Sequence, residues 1–388
     1  MPRTIFHLDL DVFFVAVERL LDPTLVGLPV IVSPGGSRSV VATASYEARR
    51  FGVRSAMPFS QAMRLCPQAV VRPGNFRAYQ RYSRAFFAIL ATYSPDLEPA
   101  SLDEGYLDYT FCTRLFGPAL PAAARLQQQV REELGLDVSI GIAGSKVAAK
   151  IASDLAKPAG ILQVLAGREA AFLSPLPIRR LPGVGPKTEP RLLGLGLRRI
   201  GDLARLPDPL VRQALGEGGL ALAAAARGED DSAVDGRGEA KSVSHEETFD
   251  VDVTDPDRLR HVLHRLTCEV GYRLRRHGLA SRRVCVKVRY ADFSLHTRSH
   301  ALAEATDLDR TLFSEAERLL AQACGRRVRI RLLGVAAQLL EPAGRQADLL
   351  GVDQAERQGR FQTAADAVRK RYGEGAARWA SLLRQDVE

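Results

Sequence analysis

The sequence predicts a multidomain α+β protein, and three observations carry that prediction. The chain has 388 residues, more than one ordinary domain holds, so roughly two to four domains are expected. Apolar runs that read as strands alternate with helical periodicities up to about residue 165. After residue 244 both patterns recur in the order β-α-β-β-α-β, the plan of a split βαβ domain. The stretch between them turns to short helices rich in Leu, Ala, Gly and Pro.

Composition narrows the class. An apolar content of 46% is ample for real cores, and a net charge of +9 points to a polyanionic partner. The five cysteines, at 66, 112, 268, 285 and 324, show no metal-ligand spacing and are odd in number. They read as free thiols of a reducing, cytoplasmic compartment. No run approaches the roughly eighteen apolar residues of a membrane span, and the start of the chain carries no signal-peptide pattern, so no membrane partner is expected.

In chain order, Thr4 to Leu10 reads as a strand that ends in the acidic run His7-Leu8-Asp9-Leu10-Asp11. Val12 to Leu21 has helical periodicity, with Phe13-Phe14 at its head and Glu18 inside it. Leu28 to Val32 is a short buried strand, closed by the turn Ser33-Pro34-Gly35-Gly36. Val40 to Gly52 reads as a strand running into a short helix, and Thr43, Tyr46 and Arg49 fall at that junction. Hydroxyls and a guanidinium near a helix start suit a triphosphate, since helix N-termini favour anions and Arg gives forked bonds. Phe76 to Tyr93 is an amphipathic helix whose stripe of Phe76, Tyr79, Tyr82, Phe86 and Leu90 is expected in the core. A second acidic strand, Ser101-Leu102-Asp103-Glu104-Gly105-Tyr106-Leu107-Asp108, follows the turn Ser94-Pro95-Asp96. Then come a helix at about 118–134, a strand from Val138 to Ala143 and a helix from Ser145 to Ala156. Together they predict a layer with helices on one face of the sheet. Lys157 follows the last helix, while Lys146 and Lys150 read as helix-surface charges.

Neighbouring strand residues point to opposite faces, so Asp103 and Glu104 converge on one ion only where the strand begins and the backbone is bent. With the two acidic strands side by side, Asp9, Asp103 and Glu104 form a cluster of three carboxylates. Like charges at close range raise one another's pKa unless a cation neutralises them. Hard divalent cations take oxygen ligands, and Mg²⁺ is usually held by a few carboxylates plus substrate phosphates. The pattern points to metal-assisted phosphoryl chemistry; for the Asp-Glu pair alone, a solvated turn is the bland reading.

Further on, Leu181-Pro182-Gly183-Val184-Gly185-Pro186-Lys187-Thr188 looks like a helix-hairpin-helix, continued by residues 195–203. Its tight turn at Gly183 and Gly185, beside Lys187, exposes backbone N–H groups that can hold a DNA phosphate without reading bases. Pro190 is tolerable in the first turn of a helix. Glu229 to Lys241 reads as a linker. Strands are then expected at 244–249, 283–290, 293–302 and 327–339, with helices at 256–277 and 308–324. Residues 256–340 hold 17 Lys and Arg against 8 Asp and Glu, a surplus of nine that equals the whole chain's excess. Val284, Val286 and Val288 are expected to face the helices, and Cys285, Lys287 and Arg289 to face out. Arg289, Arg298 and Arg331 on the open sheet face would suit phosphate tracking. Helices are expected at 364–372 and 375–383, with Trp379 a packing residue.

The runs HLDLDVFFVAVE and SLDEGYLD together closely resemble the Y-family (translesion) DNA polymerases, polymerase IV branch, and the resemblance continues to at least residue 350. It implies a right-hand fold: palm at 1–11 and 75–165, fingers at 12–74, thumb at 166–235 with its hairpin near 181–203. A linker at 236–243 and a little finger at 244–341 follow, then a tail at 342–388. The implied activity is low-fidelity, template-directed addition of deoxynucleotides to a primer 3′ end, with bypass of damaged bases and no proofreading exonuclease. The resemblance also implies two Mg²⁺ ions held by Asp9, Asp103, Glu104 and the Leu10 carbonyl, with Asp11 left as structural.

By the same resemblance Phe14 is the steric gate against a 2′-hydroxyl, and Phe13 is core. Thr43, Tyr46, Arg49 and Lys157 hold the nucleotide's phosphates, through the motifs ATASYEARRFGV and GIAGSKVAAKIASDLAKPAGI. Ser45 stands where the family usually has Asn and receives no role. Ala42 forms part of a low roof over the nascent base pair. Gln346, Leu349 and Leu350 resemble a sliding-clamp peptide, degenerate because Leu350 replaces the usual Phe. The expected partners are primer-template DNA, deoxynucleoside triphosphates and a clamp, for a monomer in a bacterial cytoplasm, near the nucleoid. A nucleotide cyclase sharing the palm and a catalytically idle, clamp-bound relative are the competing classes; the fingers motif and the hairpin oppose the first, intact carboxylates the second.

Overall fold

A computed structural model describes residues 2–236, 238, 240–325, 328–343, 352–373, 376, 377 and 379, with side chains in the final helix from 359 onward. The clamp-peptide residues Gln346, Leu349 and Leu350 lie outside the described residues. The chain forms two compact units, Met1–Gly238 and Glu239–Glu388.

The first unit begins β1 (Ile5–Leu10), α1 (Phe13–Leu21), β2 (Val30–Val32), β3 (Thr43–Ala44), α2 (Tyr46–Arg50), α3 (Phe59–Leu65), β4 (Val70–Arg72). It continues α4 (Phe76–Ala91), β5 (Leu97–Pro99), β6 (Glu104–Asp108), α5 (Thr113–Phe116), α6 (Ala119–Leu134), β7 (Val138–Ala143), α7 (Lys146–Ala156), β8 (Ile161–Gln163). A five-stranded sheet runs β5-β6-β1-β7-β8, with β1 antiparallel to both β6 and β7.

Every residue of β1 is buried, because helices cover both faces of this sheet rather than the single face expected. Phe6, Leu8 and Leu10 join a core with Phe13 of α1, Phe86 and Leu90 of α4, and Leu126 and Val130 of α6. On the other face Ile5 meets Ala148, Ala149 and Ala152 of α7. Gly141 on β7 explains how close α7 comes. A Cβ at that position would lie 1.9 Å from the Ala149 carbonyl oxygen and 2.4 Å from the Ser153 amide nitrogen. Only glycine fits there.

A three-stranded sheet, β3-β2-β4, builds a small lobe around Ile31, Val41, Ala44, Ala48 and Cys66. The α4 stripe departs from expectation at its first position. Tyr79, Phe86 and Leu90 are buried, but Phe76 stands 56% exposed at the helix start, beyond the reach of the core.

Five short helices follow: α8 (Glu169–Leu173), α9 (Thr188–Gly194), α10 (Ile200–Ala204), α11 (Asp208–Leu215) and α12 (Glu217–Ala226). Their core of Leu173, Ile178, Leu192, Ile200 and Val211 also takes Ile151 from α7. The turn before α9 carries Gly183 at φ +89, and Pro190 sits in the first turn of α9. After α12 the chain is tied down, although its composition reads as a linker. The Arg3 guanidinium donates to the carbonyls of Asp230, at 2.7 Å, and Ser232. Lys146 bridges Glu98 at 2.5 Å and donates to the Ala233 carbonyl at 2.7 Å, so it is no free surface charge. Val234 is buried among Ile5 and Ala143.

The second unit runs β9 (Ser242–Val253), α13 (Pro256–Arg276), β10 (Leu279–Tyr290), β11 (Leu295–Thr306), α14 (Asp309–Ala323), β12 (Ile330–Pro342) and α15 (Val352–Tyr372). Its sheet order is β11-β10-β12-β9 with every neighbour antiparallel, so each β-α-β crossover is split by an intervening strand. Val284, Val286 and Val288 are buried with Leu263, Leu266 and Leu319. Cys285 lies on the opposite side of β10, as read, but is buried.

Arg298 corrects the sequence reading. It pairs in register with Val286, so it belongs to the helix side of edge strand β11 and not to the open face. Its neighbour two residues on, His300, lies 3.1 Å from Glu315 of α14, which confirms the sense of that alternation. The tail also differs from expectation: α15 is one helix starting at Val352, and most of 375–383 lies outside the described residues. Arg275 of α13 holds it, bridging Asp366 at 2.6 Å and buried Asp309 at 2.8 Å. Trp379 packs on Phe361, ring centroids 5.4 Å apart. Among the described residues, no helix is long and apolar enough to cross a membrane.

Candidate active site

The site grows from the register of the central strands. Asp9, near the end of β1, pairs directly with Glu104, the first residue of β6. Facing residues of an antiparallel pair share one side of the sheet, so both carboxylates point toward α7. Asp103 precedes the strand, and its carbonyl accepts the Leu10 amide at 2.9 Å. The bend there is held by Ser101, whose Oγ accepts the amides of Asp103 and Glu104 at 3.2 and 3.1 Å and donates to Asp103 Oδ1 at 2.5 Å.

Two ammonium groups from α7 and its C-terminal turn answer these charges. Lys157 Nζ lies 2.7 Å from Asp9 Oδ2, and Lys150 Nζ lies 2.5 Å from Glu104 Oε2. Lys150 is therefore part of the site, which sequence reasoning missed, and Lys157 meets a carboxylate. Fully buried His7 directs Nε2 to 3.5 Å from Glu104 Oε2, while its Nδ1 lies 2.6 Å from the Ser153 hydroxyl. His7 was also missed, although it precedes Asp9 by two residues on one strand and so shares its face.

Burial pushes the Asp9 carboxyl up to about 6, against the pull of Lys157 and with a push from Asp103 and Glu104. Glu104 is held down at about 2, by His7 first and then by Lys150, against the effect of burial. Desolvation lowers His7, favouring its neutral form.

The groups expected to hold metal, the Asp9, Asp103 and Glu104 carboxylates and the Leu10 carbonyl, are hard oxygen ligands of the kind Mg²⁺ takes. Among the described residues, no three His, Cys, Asp or Glu side chains already close around a common point. Lysine ammoniums serve as stand-in cations for Asp9 and Glu104. The donor chemistry fits a divalent ion.

Asp11 has a different task. Buried at 3% exposure, it accepts the Ala159 amide at 2.6 Å and the Ser139 hydroxyl at 3.1 and 3.0 Å. The Tyr46 hydroxyl also reaches it, at 3.4 Å. Asp11 thus ties β1 to the turn that carries Lys157 and to the small lobe. Directly after it Val12 adopts φ 43, ψ 42, a left-handed conformation rare for a β-branched residue, and turns the chain into α1.

That turn sets Phe13 inside the core at 2% exposure and leaves Phe14 half-buried beside it. Phe14 stacks on Tyr79, centroids 4.3 Å apart at 15°, and meets exposed Phe76 edge-on at 5.7 Å. The Tyr79 hydroxyl donates to Glu18 at 2.5 Å. In the small lobe Ser45 caps α2, its Oγ accepting the Ala48 amide at 3.2 Å; the Ser before a helix was the available signal. Arg49 donates to the Ala44 carbonyl at 3.0 Å with its guanidinium 5.3 Å from the Tyr46 ring centroid, and Thr43 is buried on β3. Residues 183–187 and Arg289, Arg298 and Arg331 lie away from this carboxylate group in sequence and element.

Comparison with known proteins gives the family and the fold. The impB/mucB/samB family matches residues 8–154, its C-terminal domain 240–349, and the IMS family HHH motif 167–197. A DNA polymerase IV of Dehalococcoides mccartyi (strain CBDB1) is 42% identical over 376 residues, covering 96% of this chain and 95% of the relative. The chain belongs to the Y-family DNA polymerases, polymerase IV branch. A second polymerase IV, from Desulfatibacillum aliphaticivorans, is 41% identical to this Y-family chain over 382 residues, covering 98% and 96%. Among solved structures, a Y-family DNA polymerase chimera of Dbh and Dpo4 superposes with a TM-score of 0.78 at 26% identity, covering 87% of this chain and 98% of that one.

The Asp11 network yields a test. Asp11→Ala leaves the half-buried Ala159 N–H without its carboxylate acceptor, a loss of about 1–3 kcal/mol for a bond to a charged group. Denaturant unfolding is expected to report that loss. Nucleotide addition is expected to weaken without vanishing, because Asp11 supports the Lys157 turn and does not touch the reacting atoms.

Proposed function

We infer that this Y-family chain is a low-fidelity, template-directed DNA polymerase that extends a primer 3′ end, bypasses damaged template bases and carries no proofreading exonuclease. The observation that carries the reading is the Asp9–Glu104 cross-strand pair with Asp103 bent in beside it, in a chain about 40% identical to named polymerases IV over nearly its whole length. Nucleotidyl transfer of this kind depends on divalent metal. Two Mg²⁺ ions on Asp9, Asp103, Glu104 and the Leu10 carbonyl would stabilise the attacking and leaving oxygens of the in-line displacement.

The remaining residues bind and orient. Lys157 exchanges Asp9 for a phosphate oxygen of the incoming nucleotide, and Thr43, Tyr46 and Arg49 take the rest of the triphosphate. Phe14, stiffened by its stack on Tyr79, lies against the sugar and excludes a 2′-hydroxyl. Ala42, small and half-buried, leaves a loose roof over the base pair, which supports damage tolerance. We assign palm to 1–11 and 75–165, fingers to 12–74, thumb to 166–235 and little finger to 244–341. Gly183, Gly185 and Lys187 hold a DNA phosphate in the thumb, and Arg289 and Arg331 track the backbone in the little finger. The chain acts as a monomer in the cytoplasm near the nucleoid, in keeping with its five free cysteines. Gln346, Leu349 and Leu350 tether it to a sliding clamp, which raises its local concentration at the primer end.

Three measurements test this. Asp103→Ala is expected to lower single-turnover nucleotide addition by at least about a hundredfold, the several kcal/mol that placing a metal supplies. DNA affinity should hold, and residual extension above a few per cent on undamaged template would remove Asp103 from the ligand set. Phe14→Ala is expected to admit ribonucleotides while deoxynucleotide incorporation changes little; an unchanged ratio would return Phe14 to the core. Replacing Gln346, Leu349 and Leu350 together by Ala should abolish clamp-stimulated synthesis and leave clamp-free activity and Tm intact. A fall in Tm with stimulation preserved would instead make them packing residues.

A further inference from the structure

The turn between β10 and β11 holds a bulky residue where glycine would be at ease. Phe293 sits at φ +65 and is 64% exposed. The left-handed region disfavours a large side chain, and an exposed ring contributes little burial in return. The turn itself does not need the aromatic group: the Asp292 carboxylate accepts the Ser294 amide at 2.9 Å, and the Phe293 amide donates to the Tyr290 carbonyl at 2.9 Å. The ring's partner is Arg331, whose guanidinium carbon lies 4.7 Å from its centroid.

Arg331 reaches the turn because β12 breaks register there. Pairing with both neighbouring strands is irregular next to this residue, between Ile330 and Leu332 on the β9 side and at Tyr290 on the β10 side. An arginine lying on an aromatic face keeps its N–H edges for other acceptors, and the forked edge matches a phosphate. Lys287, one strand away, contrasts with it. Its ammonium is consumed by Glu246, at 2.9 Å to both carboxylate oxygens. Among the described residues Arg331 has no carboxylate partner. An aromatic seat therefore fixes this guanidinium while leaving its charge and donors unspent.

We propose that Phe293 is a positioning residue that seats Arg331 for a phosphate of the DNA backbone. The inference rests on the reading of Arg331 as a DNA contact. It explains why a strained, exposed ring stands at this turn, and it names Phe293 as a determinant of DNA affinity that makes no DNA contact of its own.

The test measures binding of a fluorescent primer-template by the full chain across a salt series, for Arg331→Ala, Phe293→Gly, Phe293→Tyr and the double variant Phe293→Gly/Arg331→Ala. Arg331→Ala is expected to weaken binding roughly tenfold, the order of one charge-assisted contact. It should also flatten the log–log salt slope by about one, as for one lost phosphate contact. Phe293→Gly should reproduce several-fold of that loss with a Tm at or above the parent's, because glycine relieves the left-handed strain. Phe293→Tyr should bind like the parent, and the double variant no more weakly than Arg331→Ala alone. An unchanged affinity in Phe293→Gly beside a weakened Arg331→Ala overturns the proposal. So does a Phe293→Gly loss accompanied by a falling Tm, which marks a packing role. Additive losses in the double variant would mean that the ring touches DNA itself. No effect of Arg331→Ala would remove the DNA reading of that arginine, and the proposal with it.

Discussion

The approach of α7 to the sheet at Gly141 is the contact on which the candidate active site depends. With no side chain on Gly141, the helix backbone lies against β7 so closely that a Cβ would sit 1.9 Å from the Ala149 carbonyl oxygen. Lys150, Ser153 and Lys157 then hang over the carboxylates of β1 and β6. Even one methyl group at 141 would lift the helix and withdraw these residues together. Cores packed near crystal density transmit such a change because there is no empty volume to absorb it. The same helix places Ile151 in the core of the helical segment after β8, so the site and that segment share one support.

Placing three acidic residues at one end of a covered sheet is costly, and the protein meets the cost with paired cations. Lys157 on Asp9 and Lys150 on Glu104 neutralise the charge until something else does. The different environments of the two carboxylates follow from this arrangement. Asp9 is buried deeply enough that desolvation dominates and raises it, while His7 and Lys150 keep Glu104 ionised. Asp11, two residues from Asp9, serves the frame: it binds the Ala159 amide and receives Ser139 and Tyr46. Neighbouring acids in one short run thus divide into an ion-paired carboxylate and a strut.

The second unit is organised by one buried guanidinium. Arg275 bridges Asp309 at the start of α14 and Asp366 on α15, and Gly271 leaves the room, since a Cβ there would lie 2.2 Å from Asp309 Oδ1. Gly334 acts similarly on the sheet, where Glu246 crosses above it toward Lys287. In both places a missing side chain makes room for an ion pair between two elements, α13 with α14 in the first and β9 with β10 in the second.

Much of this protein was legible in its sequence. Alternating valines at 284, 286 and 288 read directly as the helix-facing side of a strand, because the period of two is local. The acidic runs at 9 and 103–104 read as strand ends that would lie side by side, and Asp9 does pair with Glu104 across them. Phe13 is core as read, and Phe14 is half-buried beside it. What tertiary structure decided is which groups meet those residues across the chain. Lys146 and Lys150 look like helix-surface charges in one dimension, and only the Gly141 contact turns Lys150 onto Glu104. Arg298 looks outward until pairing with Val286 fixes its side, because a register shift of one residue reverses every face. Residues 229–236 look like free linker until Arg3 and Lys146 bind their carbonyls. Local patterns specify elements and their faces; long-range pairing, which no local window contains, specifies which charges are answered and by whom.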